Sequence, residues 1–422
     1  MKLPTTPRNV GRRSASTLLY ALAIGSGLMR AFSVSFDVFA INVLISNPIA
    51  YGFLSQWISW IITTILVAIL SIRWKSRNQR RSLGSNLDPD FLRISLPPKQ
   101  PTKYIILGGI LAGVSTFFYY MLVSSTDASA ILPYGQLTII YLLVGDLLAE
   151  KDTPTAIEIQ CIMSVLFGAI LVGVQPSGFD LWALIIVIGP MNLASAGYTY
   201  CMRKAKRYKD DKGRRFDSLN LRLWTLLFLN ACMSIAMIPT LTKTNWEPII
   251  NSLNSLVYII IGSSVTIFLS VVMYVRALGM GRMAVVNSLS AISVVLGIPI
   301  TLIGNFIFPG AFGAIAEGSF IWVLKLFGVL LVISGVIALE TSDVRSLVVV
   351  KVKPQTGDII ESLWAINGVE SVSALAGKHD YLLAVRTRNL GKTRTKILKR
   401  VQNIPGIDEI ETLVILKEFG RS

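Results

Sequence analysis

Ten apolar stretches, each about as long as a membrane-crossing helix, constrain this chain more than any motif in it. They run over Thr17–Leu44, Ile49–Ile72, Tyr104–Val123, Ala128–Leu148, Ala156–Val174, Leu181–Cys201, Leu223–Leu241, Leu253–Val275, Met283–Ile303 and Phe320–Leu339. A bilayer core of ~30 Å needs roughly 20 apolar residues of helix, so each run predicts one span. Composition agrees: 53% of residues are apolar, 15% are charged and the mean hydropathy is +0.61, beyond what a soluble domain carries. The expectation is a multi-pass protein of the cell membrane.

Orientation follows from lysine and arginine, which stay on the cytoplasmic side during insertion. With the amino terminus inside, the connections at 1–16, 73–103, Lys151, 203–222 and Arg276 with Arg282 hold 24 Lys/Arg, and the external ones hold only Lys243. Both termini are therefore predicted to be cytoplasmic. The net charge of +16 is then mostly topology, and no nucleic-acid partner is expected. The basic blocks Arg73–Arg81 and Arg203–Arg215 are predicted to meet anionic membrane lipid, at about 1 kcal/mol per charge.

Arg12-Arg13 precedes a run too long for an export signal and without a clear cleavage site, so it reads as the flank of the first span. Cys161, Cys201 and Cys232 lack paired spacing, so no metal and no disulfide are expected. There is no phosphate loop, so transport driven by the chain's own nucleotide hydrolysis is excluded. No catalytic residue and no cofactor are assigned, and the chain is read as a non-enzyme.

Five spans fall in each half. Sliding Phe117–Lys151 by 154 residues onto the stretch beginning at Leu269 pairs Tyr120 with Tyr274, Ala130 with Ala284 and Pro133 with Asn287. Five spans per unit, an odd number, force the second repeat into inverted topology. The domains are thus read as a cytoplasmic segment 1–16, repeats over 17–175 and 180–340, and a tail over 345–420. The short turn into a proline-bearing span (Ser124–Pro133), the acidic Glu150 at that span's end and a glycine-rich following span resemble the drug/metabolite transporter superfamily, in particular its EamA-like members. That resemblance covers about 17–340. It implies ten helices around a central cavity and movement of small metabolites, often outward. The chain departs from the family pattern in placing Gln56 where an arginine is common, in lacking a counterpart of Glu150 after Ile303, and in the external insertion Asn305–Phe320.

Cavity candidates were sought by energetic cost. Arg30 sits about thirteen residues into the first span, where a charge costs at least ~2.5 kcal/mol. Two readings stay open: contact with a carboxylate or phosphate of the substrate, or a structural pair with Asp37 two turns on. Tyr134 and Gln136 beside Pro133, Asn192 beside Gly189-Pro190, and Tyr274, Asn287, Ser288 and Ser290 are candidates to present polar groups to a cavity or to join helices. Lys325 is expected to snorkel outward, Asp146 and Glu150 to be solvated at a helix end, and Gly109 with Gly113 to allow close helix contact.

After Ser346 the pattern changes to short alternating strands. The order is strand Ser346–Lys353, helix Gly357–Ile366, strands Val369–Ala376 and Asp380–Thr387, helix Gly391–Gln402 and strand Ile407–Phe419. This βαββαβ order predicts a ferredoxin-like α+β unit. Asn367–Val369, Ala376–Leu383 and Ile404–Leu416 resemble the effector-binding domain of the Lrp/AsnC family. The resemblance implies a homodimer through the sheets and a site for an amino acid or related effector near Gly377, Lys378, His379 and Asp380. Three of them also have a plain reading: Gly377 as a turn glycine, His379 as an exposed histidine and Asp380 as a turn cap. The family's DNA-binding helices are absent from this chain.

The chain is therefore expected to be a secondary transporter, an exporter of an amino acid or related small metabolite, regulated by an amino-acid-sensing tail. The alternatives are a carrier of phosphorylated or nucleotide-linked metabolites, and a membrane receptor or scaffold that transports nothing.

Overall fold

Asn47 and Pro48 illustrate how local chemistry sets the helix boundaries. The Asn47 side chain accepts from the Ile49 and Ala50 N–H groups, and Pro48 follows at the first helical position, where its missing N–H is harmless. A computed structural model of the protein describes residues 8–45, 47–76, 79–123, 128–150, 156–172, 174, 181–210, 213, 215–237, 242, 246–247, 250–312, 319–341, 344–354, 359–364, 366, 369–387 and 397–414. Two units emerge: Leu19–Pro154 with Gln160–Val336, and Ile337–Ser422 with Met1–Leu18 and Thr155–Ile159.

The helices, in chain order, are α1 (Arg8–Val43), α2 (Pro48–Leu70), α3 (Lys99–Val123), α4 (Ala128–Gln136), α5 (Thr138–Glu150), α6 (Ala156–Val172), α7 (Leu181–Ile186), α8 (Asn192–Arg207), α9 (Ser218–Met237), α10 (Leu253–Met280), α11 (Met283–Ser290), α12 (Ile292–Ile307) and α13 (Ser319–Thr341). Among the described residues six stretches are long and apolar enough to cross a membrane: Thr17–Val43, Pro48–Leu70, Lys99–Val123, Ser218–Met237, Leu253–Met280 and Met283–Ile307. Ile159–Val172 and Phe320–Val336 are shorter apolar helices. The expected span Ala128–Leu148 is broken at Leu137, just after Pro133, and Met283–Ile303 is broken at Ala291. A π turn over Val187–Met191, holding Gly189-Pro190, interrupts the span expected over Leu181–Cys201.

Close helix packing follows from small residues. A methyl group on residue 168 would lie 2.5 Å from the Gly328 carbonyl oxygen, and one on residue 328 would lie 2.6 Å from that of Gly168, so α6 and α13 meet backbone to backbone. Gly109 and Gly113 do the same for α3 against α9, where the Thr225 and Leu229 carbonyls leave no room for a side chain.

Several polar residues correct the sequence reading. Asp146 is buried, not solvated: its carboxylate takes the Arg203 guanidinium at 2.6 Å and the Ala284 N–H at 3.0 Å. Lys206 is buried too, 2.7 Å from Asp88 and 3.2 Å from Asp90. Two members of the basic block expected at the lipid surface are thus folded inward, because acidic residues distant in sequence meet them there. The other block forms a hairpin, β1 (Arg73–Ser76) with β2 (Gln79–Ser82). Lys325 is buried rather than snorkelled. Lys151, the Glu150 side chain, Asn367 and the first part, 391–396, of the helix expected over Gly391–Gln402 lie outside the described residues.

Near Lys206 two carboxyls titrate in opposite senses. Burial pushes Asp217 up to about 6 from the ordinary 3.8, although the Asn220 N–H groups that it accepts pull the other way. Burial alone would also raise Asp88, but the Lys206 ammonium and the Ser218 N–H outweigh it and hold that carboxyl below its ordinary value. Asp217 therefore contributes stability that is complete below its unfolded value and is lost as pH rises through about 6. Asp88 contributes stability that is present above its unfolded value and is lost as pH falls through the folded one. Asp217→Asn removes the first titration, so its melting temperature relative to wild type should become more favourable as pH rises from about 4 to about 6.5. A difference that stays flat over that range would contradict this assignment.

In the second unit, β3 (Val344–Val352), β4 (Val369–Ala374), β5 (Tyr381–Thr387) and β6 (Ile407–Val414) form one antiparallel sheet in the order β4-β5-β3-β6. The short helices α14 (Ile360–Trp364) and α15 (Lys399–Gln402) complete the βαββαβ order. Alternation places Val348 and Val350 of β3 with Leu383 and Val385 of β5 on the face that packs Leu363 and Val401.

Candidate functional site

A polar site lies beside the helix interruptions. Helix α1 runs past two of them: Gly27 lies against the Ser290 carbonyl beside the Ala291 break, and Gly135, just before the Leu137 break, leaves room for the Arg30 guanidinium. Around Arg30 is a cavity of about 220 Å³ lined by residues of α1, α2, α3, α8, α9 and α10 together with Leu132, Gly135, Asn287 and Ser290 from the broken helices.

Arg30 is half-buried, and among the described residues it has neither a hydrogen bond nor an ion pair. The structural pair with Asp37 does not form. The Asp37 carboxylate instead accepts from the Tyr51 hydroxyl at 3.0 Å, the Ser263 hydroxyl at 3.0 Å and the Tyr119 hydroxyl at 3.4 Å. Three hydroxyl groups from α2, α3 and α10 satisfy that buried acid, so no charge partner is needed.

The remaining candidates divide. Asn192, Tyr274 and Asn287 line the cavity with Arg30 and Asp37. Tyr274 donates to Asn287 Oδ1 at 3.3 Å, and Asn287 Nδ2 donates to Gln136 Oε1 at 3.3 Å. Asn192 also holds two interrupted helices, donating to the Tyr134 carbonyl at 2.8 Å and the Val187 carbonyl at 2.7 Å. Tyr134, Gln136 and Ser288 do not line it. Tyr134 packs against the apolar core, Gln136 is a buried link to Asn287 and Ser293, and the Ser288 hydroxyl turns back to the Ala284 carbonyl at 2.8 Å.

Arg222 is a charged lining residue that the sequence did not suggest. It is 6% exposed, its Nε is buried without a partner, and among the described residues its guanidinium has neither a hydrogen bond nor an ion pair. Tyr198 lies within electrostatic reach of both Arg222 and Arg30. Tyr120, with Ser55 at 3.1 Å and Gln56 at 3.2 Å from its hydroxyl, closes another wall.

In the second unit the loop Gly377–Asp380 joins β4 to β5. Gly377 has φ 149°, a conformation disfavoured for other residues. Asp380 is occupied in fastening the hairpin to β3: its carboxylate accepts from the Val352 N–H at 2.7 Å and its own N–H donates to the Val350 carbonyl at 3.0 Å. Lys378 is exposed, and half-buried His379 brings Nε2 to 3.9 Å from Glu411.

The strand order, this loop and the register of β3 against β6 all lie within one matched segment. Residues 346–422 match the family described as the Lrp/AsnC ligand binding domain. No curated protein matches the chain. A solved structure described only as "Crystal structure of protein" is 14% identical, with 78% of this chain and 98% of that chain covered and a TM-score of 0.48.

Proposed function

We propose that the helical unit is a secondary transporter of a small metabolite, an exporter rather than an enzyme, and that the Lrp/AsnC-type domain regulates it by sensing an amino acid or related compound. On this reading the protein crosses the cell membrane ten times, as two inverted repeats of five helices, with both termini in the cytoplasm. The tail pairs with that of a second copy.

One observation carries the transport reading: an unpartnered arginine faces a polar cavity bordered by broken helices. A charge at that depth is retained against a cost of several kcal/mol, and broken helices expose backbone to a cavity rather than to lipid. Support for the repeat comes from spacing. The breaks at Leu137 and Ala291 are 154 residues apart, α3 and α10 begin 154 residues apart at Lys99 and Leu253, and this equals the offset that aligns the two halves in sequence.

The purified full-length chain, reconstituted in vesicles and screened by counterflow, should exchange a small metabolite. Amino acids added on the side of the tail should change that flux, because a ligand preferring one conformation shifts the balance between conformations. Vesicles that exchange no compound would leave a membrane receptor or scaffold as the surviving reading.

A further inference from the structure

We infer that the cavity binds a small organic anion carrying two negative charges, either as two carboxylates or as a phosphate monoester, and that Arg30 and Arg222 together hold it. The inference rests on the transporter reading and names the substrate class.

Charge accounting leads to it. The cavity is lined by two guanidinium groups and one carboxylate. The carboxylate, Asp37, is already occupied by three hydroxyl donors, and Asp146 and Asp88 are taken by Arg203 and Lys206. Arg30 and Arg222 are left with ten N–H donors between them by chemistry and, among the described residues, no acceptor. A guanidinium that is 6% exposed and unpartnered is costly, and the cost is offset when an anion supplies the oxygens. Carboxylates and phosphates match the planar fork of arginine in two-pronged fashion. The rest of the wall points the same way. Ser26, Ser115, Thr116, Ser195 and Ser264 offer hydroxyl donors for further anionic oxygens. Tyr198, which lines the same cavity within electrostatic reach of both cations, can donate to an anionic oxygen.

The second arginine is what raises the charge from one to two. A single carboxylate would fill the fork of one arginine and leave the donors of the other without oxygens, whereas a ligand with two anionic charges spread over more oxygens supplies acceptors to both. The cavity volume of about 220 Å³ limits the ligand to small metabolites.

The test uses the full-length protein in detergent, with succinate against succinamide and glycerol 3-phosphate against glycerol, read by the shift in melting temperature. At least one dianion should stabilise the wild type, while its neutral partner does not. Succinate alone would assign two carboxylates, and glycerol 3-phosphate alone a phosphate monoester. Arg30→Gln and Arg222→Gln should each weaken binding of that dianion by about tenfold or more. Arg222→Lys, which keeps the charge, should recover part of the loss and shows that the site still folds. Equal stabilisation by neutral partners, no response to any of the four compounds, or full affinity in both Gln variants would overturn the inference. Because melting reads binding without flux, the two proposals fail separately. A dianion that binds through both arginines but never crosses the vesicle membrane refutes transport, and counterflow of neutral compounds only refutes the anion.

Discussion

Arg30→Ala should lower counterflow about 10- to 100-fold while leaving the protein at least as resistant to heat as the wild type. The two halves of that result come from one observation, that Arg30 makes no hydrogen bond or ion pair among the described residues. Removing it costs the fold no partner and relieves a poorly solvated charge, so stability holds or rises. What is lost is a charge-assisted contact to substrate, worth about 1.5–3 kcal/mol. Arg30→Lys keeps the charge but not the fork, and should retain intermediate flux. Normal flux from Arg30→Ala would place the transported species elsewhere. A variant that loses flux and heat resistance together would make the arginine structural after all.

The largest effect on stability is expected at Asp146. Its carboxylate joins α5, through Arg203, to α8, and through the Ala284 N–H to the start of α11. Asp146→Ala takes from the buried Arg203 the carboxylate 2.6 Å away and from the Ala284 N–H its acceptor at 3.0 Å, a loss of about 3–5 kcal/mol. Replacing both charges with apolar residues, Asp146→Leu with Arg203→Met, removes the charge imbalance and should recover much of that loss. Melting of the three proteins decides. A single variant that loses less than about 1 kcal/mol would show the pair to be solvated, and a double variant no better than the single would show that the acceptor for Ala284 matters more than the charge.

Both results concern residues of different legibility. Arg30 was visible because a lone charge in a long apolar run has no cheap explanation. Arg222 was not, because helix α9 begins at Ser218 and not at Leu223, where the expected span begins. One extra turn of helix, capped by the Asp217 carboxylate at the Asn220 N–H, carries it from the expected loop into the cavity wall. The extra turn had a signal, an Asp-Ser pair before the run with an asparagine three residues on. Asp146 and Arg203 are 57 residues apart, and no periodicity links them. The same holds for Asp37, whose hydroxyl partners Tyr51, Tyr119 and Ser263 come from three other helices. The sheet was easier: β3 alternates valines between its two faces, and the glycine at the β4–β5 turn marks the hairpin. Breaks at Leu137 and Val187–Met191 were announced by Pro133 and Gly189-Pro190, but the break at Ala291 follows no proline.

The Gly168–Gly328 contact carries a consequence for how this molecule can change. Each glycine is the space that the other's carbonyl occupies, so the two positions are one trait written twice. A substitution at either ends the close approach, and the partner's glycine then confers nothing. The damage is therefore suffered once, and a second substitution adds little to it. Drift at this seam is accordingly one-way: after a first replacement nothing preserves the remaining glycine, and return requires restoring both.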